Sequence, residues 1–228
     1  MKLISWNLLH REGAAVAEVA RLIEREQPDA LLMQEVTAQF DELPRLIGGS
    51  YSRTPLPGRR HGLAIWTAKL LATAPTVVTL PAGAVVRRVA LIADLGPFSV
   101  GNVHLSHSQL LNRKQLRHVA DHLPAHAAVL GDYNLVGPPL LPGFQDVGPR
   151  APTHRMSDIL PLRLDRCVIR GLICQEAAVL DRAGSDHHPI MVRLTRAADP
   201  QPGTRGARPF LAKAVLLARQ NAGRFRRP

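Results

Sequence analysis

The chain has 228 residues, 46% of them apolar and 21% charged, a balance that excludes a wholly disordered, collagen-like or disulfide-dense protein and fits one domain around a real core. Its formal net charge of +11 favours an anionic partner. Much of that excess sits in residues 201–228, where Arg205, Arg208, Lys213, Arg219, Arg224, Arg226 and Arg227 occur with no Asp or Glu, so the body that precedes them is only mildly basic.

Lys2 to Trp6 is a short β-like run, and the apolar spacing of Val16, Val19, Ala20 and Ile23 predicts a helix from Ala14 to Glu26. Ala30 to Met33 is continuously apolar, as expected of a strand buried on both faces. Further strands are expected at 63–67, 76–80, 85–94, 98–105, 127–130, 164–169, 177–180 and 190–194, with a second helix over 110–123. Five prolines make 137–152 a loop. Residues 1–196 form the expected catalytic domain, and 197–228 a linker followed by a basic amphipathic tail with a short helix over 210–222. No leader-like apolar segment opens the chain, no run approaches the ~20 residues that span a bilayer, and Cys167 and Cys174 are read as reduced thiols. The expected location is cytoplasmic, peripheral at the inner membrane surface where a membrane is met.

Polar residues gather at the strand ends: Asn7 after LISW, Gln34-Glu35 after LLM, Asn102 and His104 in GNVHL, Asp132 and Asn134 in VLGDYN, Asp165 in RLDRCVI, Asp186-His187 in GSDHHPI. Each has a local alternative. Asn7 and Asp186 can cap, Asp132 and Asn134 can make a turn, Asp165 can pair with Arg163 or Arg166, and His187-His188 can be a capped turn. Arg59, Arg60 and His61 either meet a phosphate or belong to a solvated loop. His118, His122 and His126 lie four apart, but no Glu follows the first and Pro124 intervenes, so this stripe is read as a solvated or partly packed face.

Taken together, SWN, QE, GDYN and SDHHPI, in that order, resemble the endonuclease/exonuclease/phosphatase superfamily over residues 2–194. GLAIWT and Arg113-Lys114-Gln115-Leu116 are less specific parts of the same resemblance. It implies an α/β fold, the deoxyribonuclease I-like four-layer sandwich of two packed, mostly antiparallel β-sheets flanked by helices. It also implies a phosphoester hydrolase, most simply a phosphodiesterase or nuclease, in which water attacks directly with Mg²⁺ or Mn²⁺ as cofactor. The implied metal set is Glu35, Asn7 and Asp186, hard oxygen donors suited to such an ion. Asn7, His104, Asp132, Asn134, Asp165 and His187 are the implied catalytic group. In it, Asp165 fixes the His187 tautomer, Asp132 orients or deprotonates water, and Asn134 and His104 donate to phosphoryl oxygens.

Abasic-site endonucleases commonly carry Asp where Leu9 stands and Tyr where His104 stands, so both positions point away from that branch. The segments 39–61 and 135–163 are placed to shape the substrate face, and neither is rich in the rings and cations of a nucleic-acid groove. The expected substrate is therefore a phosphodiester, either nucleic acid or a small or lipid diester. A phospholipid or sugar-phosphate phosphatase at a membrane is the alternative. Residues 205–228 are a candidate contact for an anionic membrane or nucleic acid, and no protein partner is expected. A non-catalytic adaptor is the competing class, which decay of the polar cluster would have marked.

Overall fold

The computed structural model describes residues 1–9, 13–83, 86–156 and 160–198. The expected linker and basic tail lie outside them, apart from residues 197 and 198. The compact body is Met1–Ala197. Its strands are β1 (Lys2–Asn7), β2 (Ala30–Val36), β3 (Ser50–Pro55), β4 (Gly62–Thr67), β5 (Thr76–Thr79), β6 (Val89–Asp94), β7 (Ser99–His104), β8 (Ala127–Asp132), β9 (Gln145–Asp146), β10 (His154–Met156), β11 (Leu160–Leu162), β12 (Asp165–Arg170), β13 (Leu172–Val179) and β14 (Ile190–Arg196). The helices are α1 (Val16–Glu26), α2 (Leu43–Ile47) and α3 (Gln109–Asp121).

Two six-stranded sheets result, ordered β13-β14-β1-β2-β4-β3 and β5-β6-β7-β8-β12-β9, with β10 and β11 as a separate hairpin. Among the described residues, only β1–β2 and β7–β8 pair in parallel. Strand alternation sends successive side chains to opposite faces. Leu3, Leu32 and Ile65 from the first sheet therefore meet Leu91, Val100, Leu130 and Ile169 from the second. Their neighbours Ile4, Trp6, Leu31 and Met33 point outward, onto Val19, Leu22 and Ile23 of α1. Val103 and Val129 pack under Leu116 and Val119 of α3. These contacts make the architecture an α/β sandwich with helices on both outer faces. Each fully buried Leu or Ile contributes roughly 2 kcal/mol of transfer free energy.

Local signals explain the element ends. The Glu18 carboxylate accepts the Ala15 N–H at the head of α1, and Gln27 stops the helix in a left-handed conformation just before Pro28. Gly131 brings β8 against β7 so closely that a Cβ there would run into the Val103 carbonyl, at φ +145. The departures from expectation are edge elements. Strand β3 reads SYSRTP and is half-buried, and the exposed β13 begins at Leu172, well before the expected 177–180; edge strands carry no clean apolar alternation. The loop 137–152 contributes Gln145–Asp146 to the second sheet. Regular pairing of β6 begins at Val89, and residue 85, the first of the expected strand, lies outside the described residues. Both cysteines are free.

Candidate active site

The register sets the site at one end of the sandwich. Asn7 ends β1, opposite Gln34 on β2, while His104 ends β7, opposite Asp132 on β8 and hence close to Asp165 on β12. The segment leading into β14 is tied down by β1, since the Trp6 indole donates to the His187 carbonyl at 3.0 Å and Ser185 Oγ donates to the Asn7 carbonyl at 2.7 Å. The SWN and SDHH motifs are thus two halves of one structural clasp.

Asp132 is the hub. Its Oδ2 accepts from Asn7 Nδ2 at 3.1 Å and from Asn134 Nδ2 at 3.2 Å, and lies 3.4 Å from His104 Nε2 and 3.9 Å from His187 Nε2. Burial, together with the nearby Asp165, raises the Asp132 pKa against the opposing pull of His187, Asn134 and Asn7. That direction moves a carboxylate toward the range useful to a general base. His187 Nδ1 meets Asp165 Oδ2 at 2.8 Å, whereas Arg163 and Arg166 both pair with Asp146. Burial opposes charge on His187, but the Asp165 carboxylate, followed by Asp132 and Asp186, overrides it and raises its pKa to about 10. Burial, reinforced by Arg88, pushes His104 well below the usual imidazole range, so it stands neutral.

The Asn134 amide works differently from the expected phosphoryl donor. Its Nδ2 is spent on the Leu105 carbonyl at 3.0 Å and on Asp132, which leaves its Oδ1 as the group able to face a ligand. Asn134 and Glu35 both hold left-handed backbone, φ 47 and 59. Glu35 sits where β2 slips register against β4, a bulge that re-aims its side chain. Asp186 Oδ2 lies 3.3 Å from His154 Nε2, and its Oδ1 is buried without a partner. Glu35, Asn7, Asn134 and Asp186 carry the carbonyl and carboxylate oxygens that a hard divalent cation prefers.

Sequence reasoning missed three kinds of residue. Arg88 is 5% exposed, its Nη1 donates to the His104 carbonyl at 3.0 Å, and its Nε has no partner. Burial lowers its pKa while Asp132 and Glu35 counteract that, which places a guanidinium beside both carboxylates. Arg87-Arg88 next to an apolar strand was the available signal. His154 was hidden in a Pro-rich segment. Gln34 and Asn102 were noticed as polar strand residues without a distinct role: Gln34 Nε2 donates to Asn102 Oδ1 at 2.8 Å, and Asn102 Nδ2 donates to the carbonyls of Met33 and Ala64, both at 2.9 Å. This pair joins the two sheets beneath the site.

The sequence matches the model of the Endonuclease/Exonuclease/phosphatase family over residues 4–187. Among curated proteins, none matches it. Similar solved structures include a functionally unknown conserved protein from Enterococcus faecalis, with TM-score 0.70 and 22% identity over 86% of this chain and 100% of that one. An endonuclease/exonuclease/phosphatase from Beutenbergia cavernae gives TM-score 0.69 and 20% identity over 88% and 72% of the two chains. TDP2 from D. rerio, solved with a single-strand DNA product, gives TM-score 0.69 and 17% identity over 86% and 98%. At these identities the likeness is one of fold.

Proposed function

Because the chain belongs to the endonuclease/exonuclease/phosphatase family, whose members are hydrolytic metal-dependent phosphoesterases and nucleases at the level of the family, we propose that it hydrolyses a phosphodiester by direct attack of water. The carrying observation is the Asp132 hub, with Asn7, Asn134, His104 and the His187–Asp165 pair converging on one buried carboxylate. A Mg²⁺ or Mn²⁺ ion held by Glu35, Asn7 and Asp186 supplies charge compensation for the phosphate when bound. Asp132 orients the water and takes its proton, helped by a raised pKa. His187, kept as imidazolium by Asp165, donates to a phosphoryl oxygen as charge builds there. Arg88 adds a buried positive charge whose desolvation is offset only in part by Asp132 and Glu35. Neutral His104 and the Asn7 amide hold Asp132 in position. No covalent enzyme intermediate is required.

Two observations bear on the substrate. Among the described residues no Trp, Tyr or Phe ring is exposed, so base stacking has no platform. Leu110, Val136 and Leu140 are 84%, 62% and 59% exposed. Gln109 bonds the Asn134 carbonyl at 3.1 Å and the Val136 N–H at 3.2 Å, which sets Leu110 and Val136 beside the site. This favours, as a second reading, a lipid phosphoester at an anionic membrane, with the basic stretch 205–228 as a further contact and the chain on the cytoplasmic side. No helix among the described residues is long and apolar enough to cross a membrane.

The test is Mg²⁺- and Mn²⁺-dependent hydrolysis of bis-p-nitrophenyl phosphate, single- and double-stranded DNA and phospholipid vesicles, with Asp132→Ala/His187→Ala as the blank. DNA cleavage above the blank supports the nuclease, lipid turnover alone the membrane enzyme, and no turnover of any substrate refutes the hydrolase. Glu35→Ala is expected to lower turnover and to recover part of it in excess Mg²⁺ or Mn²⁺; wild-type turnover without metal refutes the metal assignment.

A further inference from the structure

His154 has no part in the hydrolytic scheme, yet the fold fixes it there from two sides. The Thr153 hydroxyl accepts the N–H groups of Leu164 and Asp165 at 3.1 and 2.9 Å, and the Thr153 carbonyl accepts the His188 N–H at 2.7 Å. A β-bridge then sets His154 against His187, with ring centroids 4.4 Å apart and planes inclined by 51°. The ligand atoms of His154, Asp186 and His187 all lie within 4.8 Å of one another.

The chemistry of this trio is that of a nitrogen-rich cation site. His187 gives its Nδ1 to the Asp165 carboxylate at 2.8 Å, the support that orients a metal-binding imidazole, and its Nε2 becomes a ligand once the entering ion displaces the proton held there. The 3.3 Å between His154 Nε2 and Asp186 Oδ2 equals the edge of a coordination tetrahedron with bonds of ~2.0 Å. Beyond the Nε2–Oδ2 contact, Asp186 Oδ1 and His154 Nδ1 are both buried without a partner, so each of these two side chains is only half satisfied by the protein. Two imidazoles and one carboxylate suit a borderline ion of the Zn²⁺ class, unlike the all-oxygen set around Glu35.

We propose that His154, Asp186 and His187 form a binding site for Zn²⁺ or a similar transition-metal ion, and that filling it withdraws the His187 Nε2 from hydrolysis. Binding stands on the geometry alone; the inhibitory consequence rests on the phosphohydrolase reading above. Asp186 is shared between this trio and the Mg²⁺ set, so the two ions compete for it.

The test uses the full, metal-stripped chain with His118 and His122 changed to Ala, because those imidazoles sit 4.7 Å apart at the C-terminal end of α3 and offer a competing pair of nitrogen ligands. Cobalt(II) is the probe. The expected result is one ion per chain with the intense visible bands of four-coordination, displaced by stoichiometric Zn²⁺ and by Mg²⁺ only in large excess, and loss of those bands in His154→Phe and His154→Gln. Unchanged bands in both variants, or no such bands in the parent, overturn the site. Should neither variant fold, nitrogen-detected NMR of the parent decides: Zn²⁺ must shift the Nε2 resonances of His154 and His187, and their constancy overturns it. The ratio of Mg²⁺-supported turnover with and without Zn²⁺ should fall in step with occupancy, and constant turnover at full occupancy removes the inhibitory role. Absence of turnover in every preparation refutes the hydrolase reading, while the cobalt bands still report on the site.

Discussion

Two buried polar clusters sit one above the other between the sheets and differ in what they leave over. In the lower one, Gln34 and Asn102 are fully buried, and the Asn102 amide spends both its donor and its acceptor on Gln34, Met33 and Ala64. In the upper one, Asp132, Asp165 and His187 are nearly as buried, yet Asp165 Oδ1, Asp186 Oδ1 and the Nε of Arg88 have no protein partner. Neutral amides bonded to one another and to backbone carbonyls hold the sheets together and leave over only one uncharged oxygen, Gln34 Oε1, whereas carboxylates kept close to like charges store a larger cost that a cation, water or phosphate can relieve. The first cluster is structural and the second is poised for chemistry.

The largest expected effect separates them by rate. Asp132→Asn keeps the shape and most of the hydrogen bonds but removes the proposed proton acceptor, and His187→Ala removes the imidazolium. Each should cut turnover by ~100-fold or more. Because Asp132 is an ionised group disfavoured by burial and by Asp165, Asp132→Asn should leave the melting temperature unchanged or raise it. A loss of several degrees would mean that the upper cluster is also a structural one.

Asn102→Ala should do the reverse. It strands the Gln34 amide and two carbonyls between the sheets, which costs ~2–3 kcal/mol, or a melting temperature lower by ~5–10 °C for a chain of this size. Turnover per folded molecule should hold. Gln34→Ala combined with it should cost less than the sum of the single changes, since the two share a hydrogen bond. Strict additivity would deny that they act as a unit.

A third cluster sharpens the contrast, because in it a carboxylate is matched by opposite charges. Asp146 Oδ1 lies 2.7 Å from Arg163 and its Oδ2 3.0 Å from Arg166, at 13% side-chain exposure. Burial alone would raise the Asp146 pKa, but the two guanidinium groups prevail and lower it. A depressed carboxylate contributes stability that is fully present above its unfolded value of ~3.9 and is lost as the pH falls through the lower folded value. Asp146→Asn should therefore cost ~2 kcal/mol at neutral pH and flatten the decline of stability below about pH 4. An equally steep decline in the variant would remove Asp146 from the explanation.

These clusters also show what the sequence could and could not convey. The sandwich was legible because short apolar runs such as Ala30–Met33 and Ala127–Leu130 name the buried strands, and because SWN, GDYN and SDHHPI occur in order. Two edge strands were less legible: β3 was not expected and β13 only in its second half, because both owe their place to pairing with β4 and β14, which no local pattern encodes. Strand-end position marked Gln34 and Asn102 alongside Asp132 and His187, yet only the inter-sheet contact tells the clasp from the chemistry. Arg88 and His154 escaped for the same reason. Each lies far in sequence from the carboxylate it meets, Asp132 for Arg88 and Asp186 for His154, and neither sits in a motif.

The smallest expected effect comes from within the most informative motif. In Gly131-Asp132-Tyr133-Asn134 the backbone turns so that Asp132 and Asn134 face the site, while the fully buried Tyr133 points the other way and donates to the Val129 carbonyl at 2.9 Å. Tyr133→Phe keeps the ring, the packing around it and the turn, and removes one neutral hydrogen bond. It should cost about 1 kcal/mol, lower the melting temperature by ~2–4 °C and leave turnover unaltered. Turnover that fell with it would show that the hydroxyl sets the backbone of its two neighbours, and the boundary between scaffold and chemistry would then run through Tyr133 instead of beside it.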